Sequence, residues 1–240
     1  MKTLRDIALA GKNVLVRVDF NVPMNEAGEI TDDLRIKTVL PTLRYLLEQK
    51  ARVILCTHMG RPKGQRVAQF SLAPVAAHAA KLLGMPVPLA TDCIGPEVDT
   101  AVKAMKDGEI LMLENLRYHP QEEKNDPEFS RQLAALADVY INDAFAVSHR
   151  AHASVDGVTK YVKEKAAGFL LQKEMEYFHR SIDKPQRPLV AIVGGAKVSG
   201  KLEALQNMLE RVDKMIIGGA MANTFLKSQG YEVGASKVED

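Results

Sequence analysis

Four short runs of this chain hold apolar residues side by side instead of in alternation: NVLVRV (13–18), ARVILCT (51–57), EILML (109–113) and DVYIND (138–143). A strand with one wet face alternates apolar and polar residues, whereas a strand buried on both faces does not. Stretches of helical periodicity separate these runs: LPTLRYLLEQK (40–50), LAPVAAHAAKLLG (72–84) and DPEFSRQLAALA (126–137). Asp126 is placed to cap the last of them, with Pro127 at its first helical position, and Gly84 to close the second. VPLA (87–90) is a shorter candidate strand. Such strands can be covered only by helices on both sides of a parallel sheet. The expected fold is therefore α/β, a doubly wound parallel sheet in three α/β/α layers, followed by the beginning of a second α/β domain.

The second part follows a helical stretch, AAGFLLQKEMEYFHRSID (166–183), and the proline-bracketed KPQRP. A strand then starts at Leu189, with a helix over 200–210, a strand over 213–217 and a helix over 220–228. The expected divisions are a first domain over 1–165, a connecting helix and linker over 166–184, and an incomplete second domain over 185–240. Two strands and two helices bury too little surface for a normal core. The sequence thus reads as the front of a longer protein, or as one whose second domain is completed by something else.

Composition narrows the partners. With 32 basic and 30 acidic residues the net charge is +2, and no Lys/Arg run reaches five. That balance gives no nucleic-acid surface, so any anion site must come from placement of basic residues. No apolar run approaches the ~20 residues needed to cross a bilayer, and MKTLRDIALAGKN lacks the apolar centre of a signal peptide. Cys56 and Cys93 lack metal-ligand spacing and read as reduced thiols. A soluble, cytoplasmic, monomeric protein is expected, with no membrane or nucleic-acid partner and no metal ligand of its own.

In an open parallel sheet, ligands sit beyond the carboxyl ends of the strands. The residues delivered there are Asp19 and Asn21 after the first run, His58 and Arg61 after the second, Arg117 after the third, and His149, Arg150 and His152 after the fourth. Singly, each has a plain reading as a turn former, a solvated loop charge or a structural histidine. Together they do not. Guanidiniums gathered at one edge repel one another unless an anion sits among them, and their forked geometry suits carboxylate and phosphate. The edge is read as a site for a small, highly anionic metabolite. Arg35 stands at a helix start capped by Thr31 or Asp32; alone, it reads as one partner of a surface ion pair with Asp32 or an acidic neighbour.

VAIVGGAKVSGKLEAL (190–205) nearly matches a Walker A loop, with the spacing Gly195 to Gly200-Lys201. The next residue would be Ser or Thr holding magnesium, and it is Leu202. A dinucleotide fingerprint is absent as well. What remains is a strand, a glycine turn and a helix start. Gly194 and Gly195 let a ligand approach the backbone, the helix points its positive end at that space, and Lys197 and Lys201 add charge. A tight turn with two solvated lysines is the plain alternative. Gly218 and Gly219 clear space at the end of the next strand, leaving room for a nucleotide.

Taken in order, VRVDFNVPM, THMGRPKG, LENLRYH, NDAFAVSHRAHAS and VAIVGGAKVSGK resemble the phosphoglycerate kinase family across essentially the whole chain. The resemblance implies two doubly wound domains joined by a helix. It also implies reversible phosphoryl transfer between 1,3-bisphosphoglycerate and ADP, giving 3-phosphoglycerate and ATP, with Mg2+ held through the nucleotide and a region this chain does not contain. By that resemblance Asp19, Asn21, His58, Arg61, Arg117 and Arg150 would hold 3-phosphoglycerate. Arg35 and Lys197 would neutralise the transferring phosphoryl group when the domains close. Lys201, Gly195, Gly218 and Gly219, with Lys197, would contact the nucleotide. Ala146 and Ala220 depart from the family pattern, which often has Gly there. The alternative for the isolated chain is a non-catalytic module that binds 3-phosphoglycerate.

Overall fold

The computed structural model describes residues 2–183 and 185–239. The chain divides into two compact units, Met1–Glu174 and Met175–Asp240. In the first, five strands form one parallel sheet: β1 (Asn13–Val18), β2 (Arg52–Cys56), β3 (Ile110–Met112), β4 (Val139–Asp143) and β5 (Glu164–Ala167), in the order β3-β2-β1-β4-β5. The helices are α1 (Leu34–Glu48), α2 (Ala73–Leu83), α3 (Pro96–Ala104), the single turn α4 (Pro120–Glu123), α5 (Pro127–Ala135) and α6 (Phe169–Phe178).

Alternation along β1 explains the layering. Val14, Val16 and Val18 enter a core with Ile36, Val39, Leu43 and Leu46 of α1 and Val75, Ala76 and Ala79 of α2. Leu15 points the other way, into a core with Val98 and Val102 of α3 and Phe129 and Leu133 of α5. Both faces are covered, as the unbroken apolar runs require. Each fully buried aliphatic side chain contributes about 1.5–3 kcal/mol.

Local signals behave as their chemistry dictates at two ends. Asp126 caps α5, its Oδ1 accepting from Phe129 N at 2.9 Å, and Gly84 closes α2 with a φ of 72°. Elsewhere the structure differs from the sequence reading. The helix start expected at Arg35 and the helical stretch at 40–50 are one helix, α1, beginning at Leu34, because Pro41 inside it removes only one backbone donor. Its cap position is Asp33, not Thr31 or Asp32; the Asp32 Oδ1 accepts from Leu34 N at 2.9 Å in a local turn. VPLA contributes a single bridge, Leu89 to Met112, instead of a strand. The stretch expected to be helical from 166 is strand through Ala167, helix from Phe169 to Phe178 and π-helical from His179 to Asp183. Edge pairing of β5 with β4 overrides the helix-forming composition of EKAA.

The second unit holds β6 (Val190–Gly194) and β7 (Lys214–Gly218), paired in parallel, with α7 (Leu202–Leu209) and α8 (Gly219–Ser228). Val198, Leu205 and Met221 form its buried cluster, packed by Val193, Met215 and Ile217. No helix among the described residues is long and apolar enough to cross a membrane.

Candidate functional site

The sheet order places the carboxyl ends of β3, β2, β1 and β4 side by side along one edge. Short bonds tie their connections together. Asn21 Oδ1 accepts from Gly60 N at 2.9 Å, and Phe20 N donates to Thr57 Oγ1 at 3.0 Å. Asn115 bridges in both senses, accepting from Met59 N at 3.1 Å and donating to Met59 O at 2.8 Å. Arg117, buried in the 3-10 turn after β3, donates from Nη1 to Gly60 O at 2.8 Å.

Beneath this edge lies Arg17, the one charged residue of β1, with only 1% of its surface exposed. Its Nε donates to Ser154 Oγ at 2.9 Å, Nη1 donates to Val18 O, and Nη2 meets His58 Nδ1 at 3.1 Å. Ser154 passes the interaction on, its Oγ donating to Oε1 of buried Glu122 at 2.6 Å and its N to Oε2 at 2.9 Å. A buried guanidinium is thus linked through a hydroxyl to a buried carboxylate, which a charge in such a place requires.

Positive charge dominates the surroundings. Burial, followed by the charges of Arg17, Arg117, Arg150 and His152, pushes His58 down to about 2. Burial also lowers Arg117, with Glu123 opposing at 3.2 Å and Arg150 and Arg17 adding to the shift. His152 is lowered first by burial, with Glu122 working against it from 3.8 Å. Three guanidiniums face two carboxylates here, so the edge favours an incoming anion.

Asp19 extends the edge toward α1. Its Oδ2 pairs with Arg35 Nη1 at 2.5 Å, and its Oδ1 accepts from Asn21 N at 3.3 Å. The acidic partner expected nearby in sequence is therefore supplied from the end of β1 instead. Asp19 and Arg35 line a cavity of about 260 Å³ with Thr38, Asp143, Phe145 and Glu174. Asp143 is buried, accepts from Leu171 N at 2.9 Å, and has its carboxyl pushed up to about 6 by that burial.

Asp19, Asn21, His58 and Arg117 are thus brought together, with Arg150 near enough for its charge to act on His58 and Arg117, and Arg35 joined through Asp19. Arg61 is exposed and makes no hydrogen bond or ion pair with them among the described residues. Arg17, Asn115, Glu122 and Ser154 escaped the sequence reading. The signal for Arg17 was present: a charged residue inside an otherwise apolar strand must find buried partners.

In the second unit, Gly194 and Gly218 are in register on β6 and β7. A Cβ on Gly195 would stand 2.8 Å from Lys201 Nζ and 3.3 Å from Met221 Sδ, and Gly219 adopts a φ of +64°. Position 219 therefore needs glycine for its backbone, while a side chain at 195 would push the Lys201 ammonium from its place. Lys201 Nζ donates to Gly194 O at 3.0 Å, while Lys197 is exposed. A 3-10 turn (Ser199–Lys201) stands between the glycine turn and α7, and the amides at its start do not face open space. Val198 N and Ser199 N donate to the Glu239 carboxylate at 2.5 and 2.9 Å. With these two amides engaged, the exposed side-chain cations of this loop are the ammonium groups of Lys197 and Lys201. Elsewhere, Asp92, Cys93 and His119 lie within 4.8 Å of one another, but Asp92 and His119 pair at 2.6 Å and the Cys93 thiol donates to Glu114 O at 2.9 Å.

A family model described as phosphoglycerate kinase matches residues 4–240. A phosphoglycerate kinase of Desulfotalea psychrophila is 67% identical over 240 residues, covering 100% of this chain and 61% of that protein. One of Syntrophobacter fumaroxidans is 56% identical, covering 100% and 60%. The solved phosphoglycerate kinase of Coxiella burnetii superposes with a TM-score of 0.87 at 44% identity, over 100% of this chain and 60% of that one. That of Pyrococcus horikoshii OT3 also gives 0.87, at 35% identity, over 98% and 59%. The chain thus spans about three-fifths of the length of the relatives it matches.

Proposed function

Because the chain belongs to the phosphoglycerate kinase family, we propose that it serves reversible phosphoryl transfer between 1,3-bisphosphoglycerate and ADP, giving 3-phosphoglycerate and ATP. The observation that carries this reading is the excess of positive charge at the sheet edge, where His58 stays neutral first through its burial and then through the charges of Arg17, Arg117 and Arg150. Asp19, Asn21, His58, Arg61, Arg117 and Arg150 are assigned to 3-phosphoglycerate. Lys197, Lys201, Gly195, Gly218 and Gly219 are assigned to the nucleotide.

Phosphoryl transfer asks a protein mainly to position its reactants and neutralise spread charge. Arg35 and Lys197 are assigned that neutralisation. The acceptor, a phosphate or carboxylate oxygen, is already ionised, so no general base is assigned. Around the second unit's loop the available groups are ammonium cations and backbone, with the Glu239 carboxylate already engaged. That set suits phosphate oxygens and not Mg2+. The metal would arrive on the nucleotide.

A coupled assay for ATP made from ADP and 1,3-bisphosphoglycerate tests the activity, and calorimetric titration with 3-phosphoglycerate tests the edge. Binding should weaken with salt and fall about tenfold or more in Arg150→Ala. Binding without turnover would favour the non-catalytic module, and affinity unaffected by both salt and Arg150→Ala would overturn the site assignment.

A further inference from the structure

The backbone donors at a helix start need partners, because no intrahelical carbonyl reaches them. At the 3-10 turn Ser199–Lys201 that leads into α7, partners for Val198 N and Ser199 N come from 41 and 40 residues away. Glu239 Oε2 accepts from Val198 N and Ser199 N at 2.5 and 2.9 Å, and Oε1 accepts from Ser199 Oγ at 2.5 Å. Both carboxylate oxygens are engaged, and charge-assisted bonds of this kind are roughly twice as strong as neutral ones. Glu239 is itself anchored. Its N donates to Thr224 Oγ1 of α8 at 3.0 Å, and Asn223 Nδ2 donates to Lys237 O at 3.3 Å. The segment around Glu239 thus staples the loop after β6 to α8.

The gripped amides lie inside the segment bounded by the two lysines. Lys197 precedes Val198, and Lys201 follows Ser199 by two residues. Lys201 is turned back onto Gly194 O through space that only a glycine at 195 leaves open. The lysine directions therefore depend on the backbone path that Glu239 fixes. We propose that Glu239 is a positioning residue for nucleotide phosphates: its carboxylate fills the amide pocket at the start of the 3-10 turn that leads into α7, sets the shape of the Lys197–Lys201 segment, and leaves phosphate contact to the two ammonium groups. This rests on the nucleotide reading of the loop given above.

ADP and 3-phosphoglycerate are titrated calorimetrically into the wild-type chain, Glu239→Ala, Glu239→Gln and Thr224→Val, with amide hydrogen exchange followed at Val198 and Ser199. In Glu239→Ala, ADP affinity should fall about tenfold, 3-phosphoglycerate affinity should hold, and exchange at the two amides should quicken at least about tenfold. Glu239→Gln, which keeps an acceptor oxygen without the charge, should fall between. Faster exchange with unchanged ADP affinity would reduce Glu239 to a structural cap and overturn the proposal. Tighter ADP binding would overturn it in the other direction, showing that the carboxylate competes with phosphate for those amides. Wild-type chain that binds 3-phosphoglycerate but not ADP would sink the nucleotide reading and this inference with it. If Glu239→Ala does not fold, Thr224→Val decides, since it loosens the anchor while keeping the carboxylate; an ADP affinity equal to wild type there would count against the proposal.

Discussion

The two units repeat one phrase, an apolar strand, a polar or glycine turn and a helix, but they cover their strands differently. Leu15, Ile54, Leu55 and Ile141 in the first unit are fully buried, while Ile192 of β6 is 77% exposed and Ile216 of β7 is 52% exposed. Along β6, and along β7 as far as Ile217, exposure alternates residue by residue, whereas β1, β2 and β3 are buried almost throughout. An apolar run therefore records what a strand can tolerate on its two faces. Whether both are covered depends on helices supplied elsewhere, and among the described residues only the first unit has them on each side.

The contrast can be tested by substitution, exchange and pH. Leu15→Ala should cost about 3 kcal/mol in urea unfolding, since it opens a cavity between the sheet and α3 and α5. A cost near zero would mean the first core is loosely packed. Amide exchange should next separate the units, with β1 and β2 slower than β6 and β7 by about a hundredfold; equal protection would erase the difference. Third comes pH. Folded His58 stays neutral down to about 2, whereas the unfolded ring protonates near 6.5, so stability is lost as pH falls through that window. Between pH 7 and 5 the loss is about 2 kcal/mol. Asp143 has the opposite sign. Its folded carboxyl is pushed up to about 6 from 3.8, so acidification through that window adds stability, about 1 kcal/mol by pH 5. Urea unfolding at both values should show Asp143→Asn steepening the acid loss and His58→Gln abolishing it. Parallel pH curves for both variants and wild type would exclude these two groups as its source. The smallest effect belongs to Ile192→Ala, within about 0.5 kcal/mol because the side chain is already in water. A cost like that of Leu15→Ala would show that its face is covered in solution.

Legibility followed distance along the chain. The strands β1 to β4 could be read because each announces burial within a few residues, and Asp126 and Gly84 because caps are local chemistry. EKAA could not be read as β5, since its strand character comes entirely from pairing with β4. The helix start at Arg35 could be read, but Pro41 hid that it and the stretch at 40–50 are one helix. At the site, Asp19, Asn21, His58, Arg117 and Arg150 were legible from the rule that parallel strands deliver function at their carboxyl ends. The pairing of Arg35 with Asp19 spans 16 residues, and that of Ser199 with Glu239 spans 40. No local pattern specifies either. Arg17 was read as part of a strand, and its partners His58 and Ser154 lie on other connections.

The contact between Arg17 and His58 settles where the imidazole carries its hydrogen. A guanidinium has only N–H groups to offer, so the lone pair it meets must be on Nδ1. In a ring that stays neutral, the single proton is then confined to Nε2. His58 is consequently a fixed-tautomer donor and not a titrating cation across the range in which proteins function. An oxygen lying against Nε2 would find the same N–H at pH 5 as at pH 8. Attraction at this edge comes from the arginines, and the imidazole supplies direction that acidity does not alter.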